Sequence, residues 1–173
     1  MQTLNFPELR QIYNYDCGAC AVCCVLAYYG LDIREEWIMA LAKTTSDGTD
    51  MTGIASVFSY LGFVTEIKTQ MTIDNLCRAI DMNAPTIICL QAYRSELTPY
   101  NVNWDDGHYV VAIGYDKSRI YFEDPSSYKR TWLSHQELMD RWHDVDHDKQ
   151  IYQWGCTVYG VPAYSPGEAI HMD

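Results

Sequence analysis

Apolar positions recur at helical spacing in the first half of the chain and in continuous runs in the second half. In the first half, apolar residues three and four positions apart lie between capping residues and glycines, which is typical of short helices. In the second half, unbroken apolar runs follow a proline and are separated by polar turns, which is typical of buried strands. Helices first and mostly antiparallel strands later predict an α+β fold, with a helical half packed on a sheet half.

Capping and turn residues set the predicted ends of these elements. Gly30 ends the first helix, Asp32 caps the second, and Ser134 with Glu137 three residues later forms a capping box for the last one. The turn 116–118 joins two strands into a predicted hairpin. The predicted helices span about 18–29, 32–42, 51–61, 72–81 and 134–143, and the predicted strands span 63–68, 85–92, 109–114, 119–123 and 152–161.

Length and composition favour one folded domain over residues 1–173. The chain has 173 residues, of which 48% are hydrophobic and 13% aromatic, enough for a sizeable core. No apolar stretch reaches the roughly 18 residues of a membrane span, and the first residues do not resemble a signal peptide, so we expect a cytoplasmic protein. The net charge of −11 argues against a nucleic-acid partner and mildly favours a neutral or basic peptide.

Seven cysteines lie in the chain, and their distribution does not resemble a disulfide framework. An odd number leaves at least one thiol unpaired in a monomer, and four of the seven fall within eight residues. A reducing compartment with mostly buried thiols fits this pattern better. The cysteines are Cys17, Cys20, Cys23, Cys24, Cys77, Cys89 and Cys156.

Cys17 stands where a loop becomes the first helix. Backbone N–H groups and the dipole of a helix N-terminus stabilise a thiolate, which is the nucleophilic form of cysteine. Gly18 and Ala19 are small, so a substrate carbonyl can approach, and the Cys17 backbone N–H can point into the site as an oxyanion donor. Asp16 can order the preceding loop by accepting backbone N–H bonds. We therefore predict that Cys17 is a catalytic nucleophile.

A base and its orienting partner are predicted from the strands. Of five histidines, only His108 begins an apolar strand, and we expect the preceding Gly107 to leave room for a neighbouring helix end. Asp124 ends the next strand of the predicted hairpin. Because the start of one hairpin strand lies beside the end of the next, His108 and Asp124 are expected to meet. Gln11, six residues before Cys17, can supply a second oxyanion donor.

Together these motifs resemble the peptidase C39 family of the papain-like superfamily. They are Gln11, Asp16-Cys17-Gly18-Ala19, Gly107-His108-Tyr109-Val110-Val111 and Asp124-Pro125. The resemblance implies a papain-like fold and hydrolysis of a peptide bond in a peptide or protein substrate, with no cofactor and no metal. It implies Cys17 as nucleophile, His108 as general base and acid, Asp124 as orienting residue and Gln11 as oxyanion helper. Unlike the transporter-fused members, this chain contains no membrane or ATPase domain, and the long polar segment 98–106 can act as a lid.

Other interpretations remain open from the sequence. Cys17 and Cys20 form a C-x-x-C pair that can serve as a redox dithiol, although no thioredoxin-like βαβ pattern surrounds it. The run 143–148 contains metal-ligand side chains, but a solvated polar loop at a helix end is the usual explanation. Amidase or transpeptidase chemistry is possible on the same scaffold. A binding module without turnover would keep the groove but turn His108 away and fill the cleft with the segment 101–106.

Overall fold

The computed structural model describes residues 1–167, 169 and 171–172, and within them the fold is α+β as predicted. The helices are α1 (Cys17–Tyr28), α2 (Glu35–Ala42), α3 (Met51–Tyr60), α4 (Ile73–Asp81) and α5 (His135–Arg141). The strands are β1 (Gln2–Thr3), β2 (Val64–Lys68), β3 (Thr86–Gln91), β4 (Gly107–Tyr115), β5 (Arg119–Glu123), β6 (Thr131–Ser134), β7 (His143–Asp146), β8 (Lys149–Tyr152) and β9 (Gly155–Tyr159). No helix among these residues is long and apolar enough to cross a membrane.

Seven of the strands form one sheet in which every described pairing is antiparallel. The order across the sheet is β2-β9-β3-β4-β5-β6, and β1 pairs with the end of β4. The strands β7 and β8 form a separate hairpin. β3 and β4 are the central strands and are almost completely buried, which explains their continuous apolar sequences.

Two cores lie on opposite faces of the sheet. Alternate residues of β4 enter different cores: Tyr109 and Val111 pack in one, Val110 and Ala112 in the other. The first core contains most of the buried residues of α1, α2 and α3, and the second contains Leu138 of α5 together with residues around α4. The predicted helical half therefore covers one face, while α4 and α5 contribute to the other.

A β-bulge in β4 sets which side chains share a face with those of β5. Gly114 pairs with Tyr121 and Ala112 pairs with Phe122, so Ile113 is an extra residue in β4. Beyond the bulge, the register continues through the Val111–Glu123 pair and sets Asp124 opposite Val110. His108 lies two residues from Val110 and shares its face. Without the extra residue, Asp124 would lie opposite Val111, on the other face of β4.

Several predicted boundaries are confirmed and others are wrong. The predicted capping box at Ser134 is present, and Thr72, at the predicted start of α4, also forms one. Asp32 does not cap α2; the N-cap is Arg34, because the chain stays extended until that residue. The predicted last helix ends at Arg141 because His143 already pairs in β7. The last strand is shorter than predicted, since Gln153 takes a left-handed backbone conformation (φ 44°) between β8 and β9.

The segment 143–148, predicted as a polar loop at a helix end, is the β7–β8 hairpin. His147 and Asp148 both have positive φ and form its turn. His143 is buried, and its Nε2 contacts the carbonyl oxygen of Asn103 at 2.7 Å. Asn103 lies in the segment 98–106, which was predicted to act as a lid. The contact with His143 holds this part of the segment against the β7–β8 hairpin. The short β1 and β6 strands were also not predicted.

Glu123, the last residue of β5, ties the N-terminal segment to the sheet. Its buried carboxylate pairs with Arg10, whose Nη1 lies 2.7 Å from Oε1, and with Arg130. The Leu9 N–H also donates to Oε1 at 3.1 Å. Because Glu123 directly precedes Asp124, these bonds also hold the backbone of Asp124, a predicted site residue, in place.

We predict that Glu123→Ala lowers the free energy of unfolding by about 3–5 kcal/mol, because it leaves two partly buried arginines without their carboxylate. Chemical denaturation measures the loss. The matched control is Glu8→Ala, which removes an exposed carboxylate 3.6 Å from Arg130 Nε and should cost less than about 1 kcal/mol. Equal losses in the two variants would contradict the assigned role of Glu123.

Candidate active site

His108 and Asp124 meet at one end of the β4–β5 hairpin. The distance from His108 Nε2 to Asp124 Oδ1 is 2.8 Å, and both side chains are buried. The spacing argument predicted this contact, although it did not include the bulge that puts both side chains on one face. Because Nε2 is engaged by Asp124, the other ring nitrogen, Nδ1, is left for a second partner.

The Cys17 thiol is the second group that acts on His108. Cys17 is the first residue of α1 and is partly buried. Burial opposes a charge on His108, but hydrogen bonds to Asp124 and to Cys17, with the charges of both, raise its pKa to about 9. An imidazole with that pKa holds a proton at neutral pH and can stabilise a thiolate beside it.

Asp16 orders the loop before Cys17, as the sequence indicated. Its Oδ2 accepts the backbone N–H groups of Ile12 at 3.1 Å and Tyr13 at 2.9 Å. It therefore points backwards along the chain and makes no side-chain cap on α1. The first N–H groups of α1 are consequently not bonded to a capping side chain, which leaves them available to an anion.

Gln11 lies beside Pro125 and Ser126, next to the Asp124 end of the pair. Its backbone N–H donates to the Pro125 carbonyl at 3.1 Å, and its Oε1 accepts the Ser126 hydroxyl at 2.7 Å. Its Nε2 donates to the Tyr13 carbonyl at 2.6 Å. These bonds fix the orientation of the amide and occupy one of its two N–H groups.

Asp124 has hydrogen bonds on both carboxylate oxygens. Besides His108, Oδ1 accepts the Ser126 N–H at 3.0 Å, while Oδ2 accepts the Tyr93 hydroxyl at 2.6 Å and the Thr131 hydroxyl at 3.1 Å. Burial would raise the pKa of Asp124, but the bonds with His108 and Tyr93 lower it below its ordinary value. Tyr93 is a site residue that sequence reasoning missed, because it follows β3, far along the chain from both motifs.

The glycines of the two motifs serve packing. A Cβ on Gly18 would lie within about 3.1 Å of Thr49 and Tyr109, so the absence of a side chain lets these residues pack against α1. A Cβ on Gly107 would collide with the carboxylate of Asp144. The group nearest to Gly107 is thus the Asp144 carboxylate in β7.

Asp144 belongs to a largely buried polar group with Cys89 and Gln91. Its Oδ2 accepts the Cys89 thiol at 2.8 Å, and its Oδ1 accepts the Gln91 amide at 3.0 Å. Burial raises the pKa of Asp144, and burial with the Asp144 charge raises that of Cys89 well above its ordinary value. Cys89 is therefore a neutral thiol. No local pattern in the sequence indicated that Asp144 of the β7–β8 hairpin would contact Cys89 and Gln91.

A cavity of about 340 Å³ opens beside the Cys17 thiol. No lysine or arginine is among its lining residues, which are Asn14, Tyr15, Cys17, Ser46, Asp47, Gly48, Thr49, Asp50, Trp104, Asp105, Gly107, Tyr109, Asp144, Val145, Asp146 and His147. Five carboxylates therefore surround the space next to Cys17, and the summed field there favours a positively charged occupant.

Comparison with protein families shows which family the chain belongs to. The family model described as "Peptidase C39 family" matches residues 5–145, which contain Cys17, His108 and Asp124. The chain belongs to the peptidase C39 family. The papain-like α+β fold predicted from the sequence is confirmed by the solved structures of this family.

Individual relatives of this C39 chain are similar over most of its length. It is 31% identical over 137 residues to the transport/processing ATP-binding protein ComA of Streptococcus pneumoniae, and 27% identical to the lactococcin-A transport/processing protein LcnC of Lactococcus lactis. Each alignment covers 78% of this chain but only 17% of the relative. The C39 chain thus spans about a sixth of the length of these curated relatives.

Solved structures share the fold at low sequence identity. The peptidase domain of Streptococcus ComA superposes with a TM-score of 0.65 and 21% identity, covering 91% of this chain and 98% of that one. A putative C39-like peptidase from Bacillus anthracis has a TM-score of 0.71 and 16% identity, covering 92% and 96%. A double glycine motif protease in complex with a leader peptide has a TM-score of 0.62 and 17% identity, covering 93% and 94%.

One group of side chains in the C39 chain has the spacing of metal ligands. Ligand atoms of Asp50, Asp146 and His147 all lie within 4.8 Å of one another. The sequence pointed to the run 143–148 but missed Asp50, which is distant along the chain. Both carboxylates already have protein partners, since Asp146 Oδ1 accepts the Met51 N–H at 3.2 Å and Asp50 Oδ2 lies 3.3 Å from His147 Nε2.

Asp16 and Glu35 form a carboxyl pair at the start of α1. Asp16 Oδ1 and Glu35 Oε1 are buried without a hydrogen-bond donor among the described residues. Burial, followed by the charges of Asp16 and Glu36 and a hydrogen bond to Asp16, raises the pKa of Glu35 to about 7. One proton on Glu35 lets its carboxyl donate to Asp16 and removes a repulsion next to α1.

The raised pKa of Glu35 predicts a pH-dependent stability. The unfolded chain releases this proton near pH 4.5 and the folded chain near pH 7, so the folded state binds more protons between these values and stability falls as pH rises through them. Glu35→Gln has an amide that donates at every pH. We predict that it raises the free energy of unfolding by about 1–2 kcal/mol at pH 8 and changes it little at pH 4.5.

The matched control for this measurement is Glu36→Gln, which removes an exposed neighbouring carboxylate. Chemical denaturation of the three proteins at pH 4.5 and pH 8 gives the comparison. A gain from Glu35→Gln that is the same at both pH values, or a gain of equal size from Glu36→Gln, would contradict a shared proton between Glu35 and Asp16.

Proposed function

We propose that the chain is a cysteine peptidase that hydrolyses a peptide bond through an acyl-enzyme on Cys17. The observation that carries the proposal is the position of His108, which hydrogen bonds to Asp124 through Nε2 and also interacts with the Cys17 thiol. Membership of the C39 family supports the same reaction class. We also propose that the domain works in the cytoplasm, where a reducing environment keeps the nucleophilic thiol free.

In the proposed mechanism, His108 takes the proton of Cys17, and the thiolate attacks the carbonyl carbon of the scissile bond. The Cys17 backbone N–H and the remaining N–H of the Gln11 amide stabilise the oxyanion of the tetrahedral intermediate. His108 then protonates the leaving amine, and an acyl-enzyme remains on Cys17. Water, deprotonated by His108, hydrolyses this thioester and releases the acid. Asp124 holds the imidazole in one orientation throughout.

We predict that Cys17→Ser and His108→Ala each lower kcat/KM for a cleaved peptide by at least about 1,000-fold, while Asp124→Asn lowers it by about 100-fold or more. The physical reason is the loss of the nucleophile, of the proton carrier and of its orientation. Intact mass after treatment with iodoacetamide at neutral pH should show one rapid label in the wild type and none in Cys17→Ser.

The matched control is Cys77→Ser, since Cys77 is the other cysteine that is only partly buried. It should keep full activity and the rapid label. Rapid labelling that survives in Cys17→Ser but is lost in Cys77→Ser would overturn the assignment of the nucleophile. Product analysis with an added amine distinguishes hydrolysis, which yields the acid, from acyl transfer, which yields a new amide.

The substrate class is proposed from the charge of the cavity. Five carboxylates line the space beside Cys17, and no lysine or arginine opposes them. A peptide with a lysine or arginine close to the scissile bond gains favourable electrostatic energy there, whereas a glutamate is repelled. One structural relative is described as a double glycine motif protease in complex with a leader peptide, so double-glycine peptides belong in the substrate panel.

We predict that, in otherwise identical peptides, lysine within two residues of the scissile bond gives about tenfold higher kcat/KM than glutamate. The ratio should fall as salt rises from 0.02 M to 0.5 M, because screening weakens the attraction. Asp105→Asn should reduce the ratio, while the control Asp140→Asn, on exposed α5 surface outside the cavity, should leave it unchanged. No preference at low salt would exclude a basic substrate.

A further inference from the structure

Tyr93 lies over the His108–Asp124 pair in an unusual backbone conformation. It has a positive φ of 55°, which L-residues with a side chain adopt rarely. Its side chain stays 58% exposed, yet its hydroxyl donates to Asp124 Oδ2 at 2.6 Å. Its ring stands edge to face on His108, with centroids 5.5 Å apart and an interplanar angle of 71°. A single residue thus contacts both members of the pair from the solvent side.

The segment after Tyr93 holds it in this conformation. Asp106 accepts the Ser95 N–H at 3.1 Å and the Asn103 amide at 2.7 Å, and its own N–H donates to Gln91 Oε1 at 2.9 Å. The Ala92 N–H also donates to the Asp106 carbonyl at 3.0 Å. These bonds close the segment 92–106 into a fixed loop, so the position of Tyr93 is determined by structure around it.

The Tyr93 hydroxyl affects the proton on His108 through the charge of Asp124. A donor on Oδ2 draws negative charge towards itself and away from Oδ1, which faces His108. Less negative charge at Oδ1 stabilises the imidazolium less and makes His108 a stronger acid. Burial and the bond to Asp124 raise the pKa of Tyr93, so the hydroxyl remains a donor throughout the working pH range.

We propose that Tyr93 is a positioning residue of the active site, acting through Asp124 to set how readily His108 gives up its proton. The proposal rests on the proposed function. In the reaction, the leaving amine takes its proton from His108, so a stronger acid at that position speeds the release of the amine. The ring of Tyr93 also limits the access of water to the His108–Asp124 bond, and access of water would weaken that bond.

The test is the pH dependence of Cys17 alkylation by iodoacetamide, which needs no peptide substrate. The lower step of the rate profile reports formation of the thiolate beside protonated His108, and the upper step reports loss of the His108 proton. In Tyr93→Phe the ring stays and the hydroxyl is lost. We expect the upper step to move to higher pH by roughly half a unit to one unit, and kcat on a cleaved peptide to fall about three- to tenfold with KM unchanged.

Two further variants separate the alternatives. Tyr93→Gly accepts the positive φ without strain, so full activity with a wild-type profile in this variant would mean that only backbone conformation matters and would overturn the proposal. Tyr128→Phe removes the hydroxyl of a tyrosine that is 91% exposed and should match the wild type. A fall in kcat for Tyr93→Phe with both steps unmoved would indicate a merely structural role and would also overturn it.

The same experiments distinguish a failure of the peptidase proposal from a failure of the Tyr93 proposal. If the wild-type alkylation profile has two steps and Tyr93→Phe moves the upper one, Tyr93 acts on His108 even when no peptide in the panel is cleaved. If peptides are cleaved and Tyr93→Phe leaves both the profile and kcat unchanged, the peptidase assignment stands and the role of Tyr93 is wrong.

Discussion

The hydrogen bond between His108 and Asp124 is the interaction on which the rest of the site depends. Both side chains are buried, and neither would be tolerated there without a partner. Their contact requires the bulge at Ile113, because the extra residue moves Asp124 onto the face of β4 that carries His108. It also requires that the end of β5 stay in place, which the ion pairs of Glu123 with Arg10 and Arg130 provide.

Around that bond, the fold delivers the remaining groups from elements that are distant in sequence. α1 presents Cys17 at its N-terminus, and Asp16 turns away from the helix to hold the preceding loop, which leaves the first N–H groups available. The same segment carries Gln11, whose amide is oriented by Ser126. The acidic side of the cleft comes from other loops and from the β7–β8 hairpin. The proposed chemistry and the proposed substrate selection therefore belong to different parts of the fold.

Short-range patterns in the sequence were enough to predict several helix starts and the contact between His108 and Asp124. The capping box at Ser134 is a local hydrogen-bond pattern and Thr72 is a capping residue, so the starts of α5 and α4 could be predicted. The hairpin turn brought His108 to Asp124 for the same reason. The contacts of Asp144 with Cys89 and of Tyr93 with Asp124 join residues that are 31 or more positions apart along the chain. Their positions follow from the β7–β8 hairpin and from a positive φ, neither of which has a distinctive local pattern here.

The central claim is that His108 shares its two ring nitrogens between Asp124 and the Cys17 thiolate. Titration of the imidazole by nitrogen-15 NMR in the wild type and in Cys17→Ala tests it most directly. We expect the wild-type imidazole to titrate near pH 9, and the value to fall in Cys17→Ala because one of the two bonds that raise the pKa of His108 is lost. The same titration in both proteins would mean that Cys17 and His108 do not act as a pair, and would contradict the account.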